Sequence, residues 1–155
     1  IVGGGFGSLA RFSGMLRRVA LEEQVDGRPL LENAAFRSRL AGLEVDLQQI
    51  VETGMRYLRG AQADSALGYE MSALKLDSTR VQYEMAELLM EAVGWYALPH
   101  QLQILLNGWG NEAPVGPAYA MGMAPNYFDW RKMRIGGGGS DEISHNIIAK
   151  ETLRL

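Results

Sequence analysis

The chain has 155 residues, 47% of them hydrophobic and 21% charged, with a formal net charge of −3 and a pI near 5.4. That is enough chain and apolar content for one domain with its own core, which excludes a disordered segment, and the acidic balance leaves no basic field to hold nucleic acid. There is no Cys, so disulfides and thiolate metal sites are excluded; His100 and His145 lack a paired-ligand spacing, so no metal site is expected, and no apolar run approaches the roughly 20 residues of a membrane span.

The chain opens on Ile1-Val2, without a Met or a signal-peptide pattern, and reads as the interior of an element already under way. The expectation is a fragment of a longer polypeptide. Leu9, Phe12, Met15, Leu16 and Val19 fall on one face and predict a first helix over residues 2–23. Gly3, Gly4, Gly5 and Gly7 weaken it, each by about 1 kcal/mol against Ala, and suggest close helix packing. Asp26-Gly27-Arg28-Pro29 breaks the chain.

Phe36, Leu40, Leu43, Leu47, Ile50 and Tyr57 keep the three- and four-residue steps of a bundle seam and predict a second helix over 33–59. Met71, Leu74, Val81, Met85, Leu88 and Ala92 do the same for a third over 65–93, where methionine reads as adaptable core filler. Residues 94–125 are interrupted by Gly and Pro and predict loops, a length that points to function or to a covered partner. A short helix over 126–133, a glycine run and a last helix over 140–153 complete the chain. No alternating β-branched run is flanked by turn residues, so no strand is expected. The fold class is all-α: an up-down helical bundle of three long and two short helices.

The last helix opens directly from Gly136-Gly137-Gly138-Gly139. Ser140 or Asp141 can cap it, and Asp141 and Glu142 put negative charge in its first turn, where the helix dipole favours it. The glycine run has two readings. One is a flexible turn. The other is backbone that comes close to something flat or anionic, with helix N–H groups behind it.

This stretch resembles the C-terminal signature of the flavin-dependent acyl-CoA dehydrogenases, with Glu142, Ile143, Asn146, Ile147, Ile148, Ala149 and Lys150 in register. Three further blocks agree in order: Asp26 to Glu32 with Phe36 to Ala41, Ala73 to Leu76 with Glu84 to Pro99, and Asn111 to Pro117 with Ala124 to Phe128, Arg131 and Lys132. Together they are most similar to the large-subunit branch typified by pimeloyl-CoA dehydrogenase. The resemblance runs nearly the whole chain and implies the C-terminal helical domain of a protein that also carries an N-terminal helical and a middle β domain. It implies oxidation of an acyl-CoA to the trans-2-enoyl-CoA with FAD, an electron-transfer flavoprotein or similar acceptor, a homo- or hetero-oligomer (a tetramer), and a cytoplasmic, bacterial-type enzyme.

In that family a Glu removes the α-proton while a hydride leaves for the flavin, and donors stabilise the thioester carbonyl. The position that many members give to the Glu is Gly138 here, and the alternative position falls before Ile1. The catalytic base therefore lies upstream or this subunit has none. The resemblance gives Gly138 and Gly139 to substrate binding, through backbone N–H, and Ser140, Glu142, Glu91 and Trp95 to the cofactor. Glu23 and Asp26 stand where relatives place an Arg and a Phe against a neighbouring subunit's flavin. Glu91 and Trp95 stand where relatives have a Gln and a Gly, and the three acids Glu23, Asp26 and Glu91 disfavour a pyrophosphate or adenosine by about 1 kcal/mol or more per close pair, or else form a solvated surface. Two roles stay open: an active flavoprotein fragment, or a half-site partner subunit of a heteromeric dehydrogenase. A helical interaction module with no catalytic past is the third reading.

Overall fold

The computed structural model describes residues 2–61, 69–101, 113, 115–136 and 138–154. Its helices are α1 (Val2–Glu22), α2 (Ala34–Ala61), α3 (Tyr69–Val93), α4 (Met123–Arg131) and α5 (Asp141–Leu153). The architecture is all-α, as the periodicities predict. Single-turn 3-10 segments cover Leu30–Glu32, Gly94–Ala97, Ala118–Ala120 and Lys132–Arg134.

Each long helix begins or ends where its local chemistry dictates. Asn33 caps α2: its Oδ1 accepts from the backbone N–H groups of Ala35 and Phe36 at 3.0 and 3.1 Å. Gly94, with φ +62°, lets the chain leave α3 in the left-handed conformation. Ser78 and Thr79 lie inside α3, and their hydroxyls donate back to the carbonyls of Leu74 and Lys75 at 2.7 and 3.0 Å. Pro125 sits in the first turn of α4, where a missing N–H costs nothing.

The centre of the bundle is α3, which packs against α1, α2, α4 and α5. Its stripe Leu74, Val81, Met85, Leu88 and Ala92 is buried, while Met71 is only half-buried. Facing it are Phe12, Leu16 and Val19 of α1 and Phe36, Leu40, Leu43 and Ile50 of α2, with Met123 from α4. Burying each of the larger aliphatic side chains contributes about 1.5–3 kcal/mol. The Phe12 ring meets the Trp130 ring edge-on, centroids 3.8 Å apart, and so joins α1 to α4.

Four expectations need correcting. A small antiparallel hairpin does form, pairing Gln24 with Pro29 and Val25 with Arg28. Its turn residues, Asp26 and Gly27, have φ of +54° and +74°, the left-handed pair that matches strand twist. The predicted loop reached 125, but α4 already starts at Met123. The short helix predicted to end at 133 ends at Arg131 and tightens into a 3-10 turn. Close packing is not found at Gly7, where no atom of the described residues outside its own helix backbone lies within 4 Å of a Cβ placed there; the packing around Gly3, Gly4 and Gly5 lies outside what is described. The predicted start of the third helix before Tyr69, and residues 102–112 and 114 of the loop-rich stretch, lie outside the described residues.

Candidate functional site

The chain passes from α4 to α5 by the glycine run, of which Gly137 lies outside the described residues. Backbone N–H groups of Ile135 and Gly136 both donate to the Lys132 carbonyl at 2.9 Å, closing the 3-10 turn. Gly138 and Gly139 then adopt φ of +105° and +104°, a region that side chains with a Cβ rarely enter. At Gly138 no atom of the described residues beyond its chain neighbours lies within 4 Å of where a Cβ would stand, so that side of the turn is open. At Gly139 the Ile143 side chain is 3.5 Å away.

Between the two capping candidates, the structure chooses Ser140. Its hydroxyl oxygen accepts from the Ile143 N–H at 3.3 Å, and its carbonyl accepts from the Ser144 N–H at 3.0 Å. The exposed Glu142 carboxyl is held below its ordinary value, first by the Ser140 hydroxyl and then by its own backbone N–H. One Ser hydroxyl can both donate and accept, so the cap and this bond coexist.

Asp141 is free of capping and does something else. Its Oδ1 takes Lys75 Nζ of α3 at 2.6 Å, and its Oδ2 takes Arg134 Nε at 2.8 Å. Burial alone would raise the Asp141 carboxyl; the Lys75 and Arg134 donors outweigh it and leave the group below its ordinary value. Sequence reasoning missed this cluster, because Lys75 and Asp141 are 66 positions apart. The one local signal was an Arg and an Asp flanking the glycine run.

Beside the turn lies an open depression of about 510 Å³, lined by Tyr83, Phe128, Arg131, Lys132, Arg134 and Glu142 among others. The Arg131 guanidinium sits over the Tyr83 ring at 4.2 Å and over the Tyr127 ring at 4.8 Å. Phe128 and Ile135 are 61% and 79% exposed there, so the depression has an apolar edge.

Glu91 and Trp95 stand elsewhere. Glu91 lies sixteen residues beyond Lys75 on α3, about 24 Å along the axis at 1.5 Å per residue. Its two oxygens take Arg39 Nη1 of α2 at 2.8 and 2.6 Å. Trp95, in the 3-10 turn after α3, is 86% exposed. Glu23 is also engaged: its Oε1 accepts from the Tyr119 hydroxyl at 2.7 Å, and burial followed by Glu23 pushes the Tyr119 hydroxyl far up. Asp26 occupies the exposed hairpin tip. Among the described residues no group of three or more His, Asp or Glu could hold a metal ion, and no helix is long and apolar enough to cross a membrane.

Residues 1–153 match the family profile described as acyl-CoA dehydrogenase, C-terminal domain. The chain belongs to that family. A solved structure, the ChsE4-ChsE5 complex from Mycobacterium tuberculosis, shares the fold with a TM-score of 0.69 at 20% sequence identity. The likeness covers 95% of this chain and 35% of that one, so the chain spans about a third of its length. No curated protein sequence matches significantly. The pimeloyl-CoA branch is not singled out by these matches.

A flavin, the cofactor the family resemblance implies, can be tested against this geometry. The start of α5 fits: the open glycine turn at Gly138 admits a flat group. At Glu91 a bare carboxylate would repel a pyrophosphate, but Arg39 already neutralises it.

Proposed function

We propose that this chain works as the C-terminal helical domain of a flavin-dependent acyl-CoA dehydrogenase, which oxidises an acyl-CoA to the trans-2-enoyl-CoA. The observation that carries the reading is the open turn with left-handed φ at Gly138 and Gly139, running into the Ser140-capped α5. Backbone N–H groups at such a turn are suited to a thioester carbonyl, where negative charge grows as the α-proton leaves. FAD, when bound, accepts the hydride from the β-carbon. Ser140 and Glu142 would meet it through hydroxyl and carboxylate, and Gly138 and Gly139 would orient the acyl group. Gly138 itself carries no group that can take a proton, so the base comes from outside this chain.

A second reading has support of its own. Glu91 stands about 24 Å along α3 from Lys75, the residue that ties the turn to that helix, and Trp95 lies beyond the end of α3. If both sets serve a flavin, the separation suits two different flavins. That arrangement suits subunits that complete one another's sites, and with Gly138 at the base position it suits a half-site partner in a heteromeric enzyme. The apolar exposure of Trp95, Leu98, Phe128 and Ile135, between 60% and 86%, supports association with other subunits.

The test is anaerobic addition of acyl-CoA thioesters to the intact protein with its flavin, followed by absorbance. Bleaching of the flavin and formation of enoyl-CoA support the first reading. Bleaching only after a second, different subunit is co-expressed supports the half-site reading. No bleaching under either condition overturns both. Transfer of the electrons onward to an electron-transfer flavoprotein can be followed in the same assay.

A further inference from the structure

The glycine run poses a physical problem. Four glycines have no side chains to pack, and they lose more conformational entropy on ordering than any other residues. Ile135, the side chain just before them, is 79% exposed and so holds the turn only weakly. The shape of the turn must therefore be set from its two ends.

Both ends converge on one carboxylate. Arg134 precedes the run and Asp141 follows it, and they bridge at 2.8 Å. Lys75 ties the same carboxylate to α3 at 2.6 Å, with the Lys75 and Asp141 side chains only 14% and 13% exposed. Ser140 already caps α5, so the Asp141 side chain is not needed for that. His145 Nδ1 lies 2.8 Å from the Asp141 carbonyl oxygen, fixing the backbone of the same residue.

We infer that Asp141 is a positioning residue: its bridge to Arg134 clasps the two ends of the glycine turn, and Lys75 pins the clasp to α3, holding the N–H groups of Gly138 and Gly139 in register with the substrate carbonyl. The inference rests on the reading of that turn as the thioester site. Arg134 is the informative handle, because its side chain is 54% exposed and its loss leaves the Lys75–Asp141 pair intact.

The experiment uses the intact protein with Arg134→Gln, Arg134→Lys and Asp141→Asn, read in two ways. Hydrogen exchange reports on the amides of Ile135, Gly136, Ile143 and Ser144, whose bonds to Lys132 and Ser140 flank the turn. Arg134→Gln should lower their protection by about tenfold or more without global unfolding. Turnover should then show kcat down by about tenfold with KM changed less than about twofold, since the carbonyl contact strengthens in the transition state. Arg134→Lys, which keeps a cation, should recover most of both. Unchanged exchange in Arg134→Gln overturns the clasp, and changed exchange with unchanged kcat overturns its positioning role. If wild-type protein oxidises no acyl-CoA, the functional reading and the substrate role fail together, while exchange still decides whether the clasp exists. Should Asp141→Asn fail to fold, the two Arg134 variants still separate these outcomes.

Discussion

Arg39 of α2 bonds both carboxylate oxygens of Glu91 on α3 through one nitrogen, at 2.8 and 2.6 Å. The two side chains are 52% and 57% exposed, so the bridge contributes less than about 1 kcal/mol to stability. Its larger effect is to cancel a negative charge at a position where family resemblance puts a flavin contact. Arg39→Ala should hardly move the melting temperature but should lower the FAD retained by the intact protein, and Glu91→Gln should not lower it. Flavin absorbance per protein after desalting reads this directly. Equal flavin content in both variants would make the pair a plain surface bridge.

Leu88 is 1% exposed at the heart of α3, and Leu153 near the chain end is 62% exposed. Leu88→Ala should cost about 2–5 kcal/mol through lost transfer energy and the cavity left behind. Leu153→Ala should stay within about 0.5 kcal/mol. Urea unfolding followed by circular dichroism distinguishes them. A small effect at Leu88 would mean that α3 is not the centre of the core.

Gly138→Val meets open space among the described residues, so its stability cost comes chiefly from φ, about 1–3 kcal/mol. If the turn faces the thioester, turnover or acyl-CoA binding should fall more steeply than that cost. Gly138→Glu is the sharper comparison. With a base supplied elsewhere it should obstruct, whereas a gain of weak activity would favour the half-site reading. Steady-state kinetics of both variants against the wild type supply the answer; unaltered kinetics would move the substrate away from Gly138.

Acid should destabilise the fold through carboxylates held low by their partners, Glu44 and Asp141 among them. Glu44 is held low chiefly by the Arg17 hydrogen bond, against the opposing effect of burial and with help from Ser13. In Asp141 burial opposes, and the Lys75 and Arg134 bonds prevail. Both folded-state values lie below the unfolded ones, so each contribution is present above about pH 4 and is lost as pH falls through the lower folded value. The urea midpoint should therefore drop below about pH 4, and Asp141→Asn should flatten that drop. An equally steep acid limb in the variant would assign the effect to other groups.

The helices were legible because burial follows period. Leu9, Phe12, Met15, Leu16 and Val19 read as one face, and all but the half-buried Met15 are buried in α1, together with Ser13 and Ala20. The hairpin was missed although Asp26-Gly27 is a strong turn signal, since strands of two residues leave no alternation to detect. The glycine turn and Ser140 could be picked out locally. The Asp141 cluster could not, because Lys75 reaches it only after α3 and α5 pack. Nor could the engagement of Glu91 by Arg39, 52 positions away, which changes how that acid bears on a phosphate.

The Asp26–Gly27 peptide at the hairpin tip also gives the molecule a clock. Glycine offers no side chain to shield its amide nitrogen, so that nitrogen can attack the Asp26 side-chain carboxyl and expel water. The resulting succinimide reopens mainly to isoaspartate, which routes the main chain through an extra methylene. A β-linked residue cannot hold the paired left-handed φ values of this turn. Stored protein should slowly accumulate a species of unchanged mass whose connection between α1 and α2 has lost its hairpin.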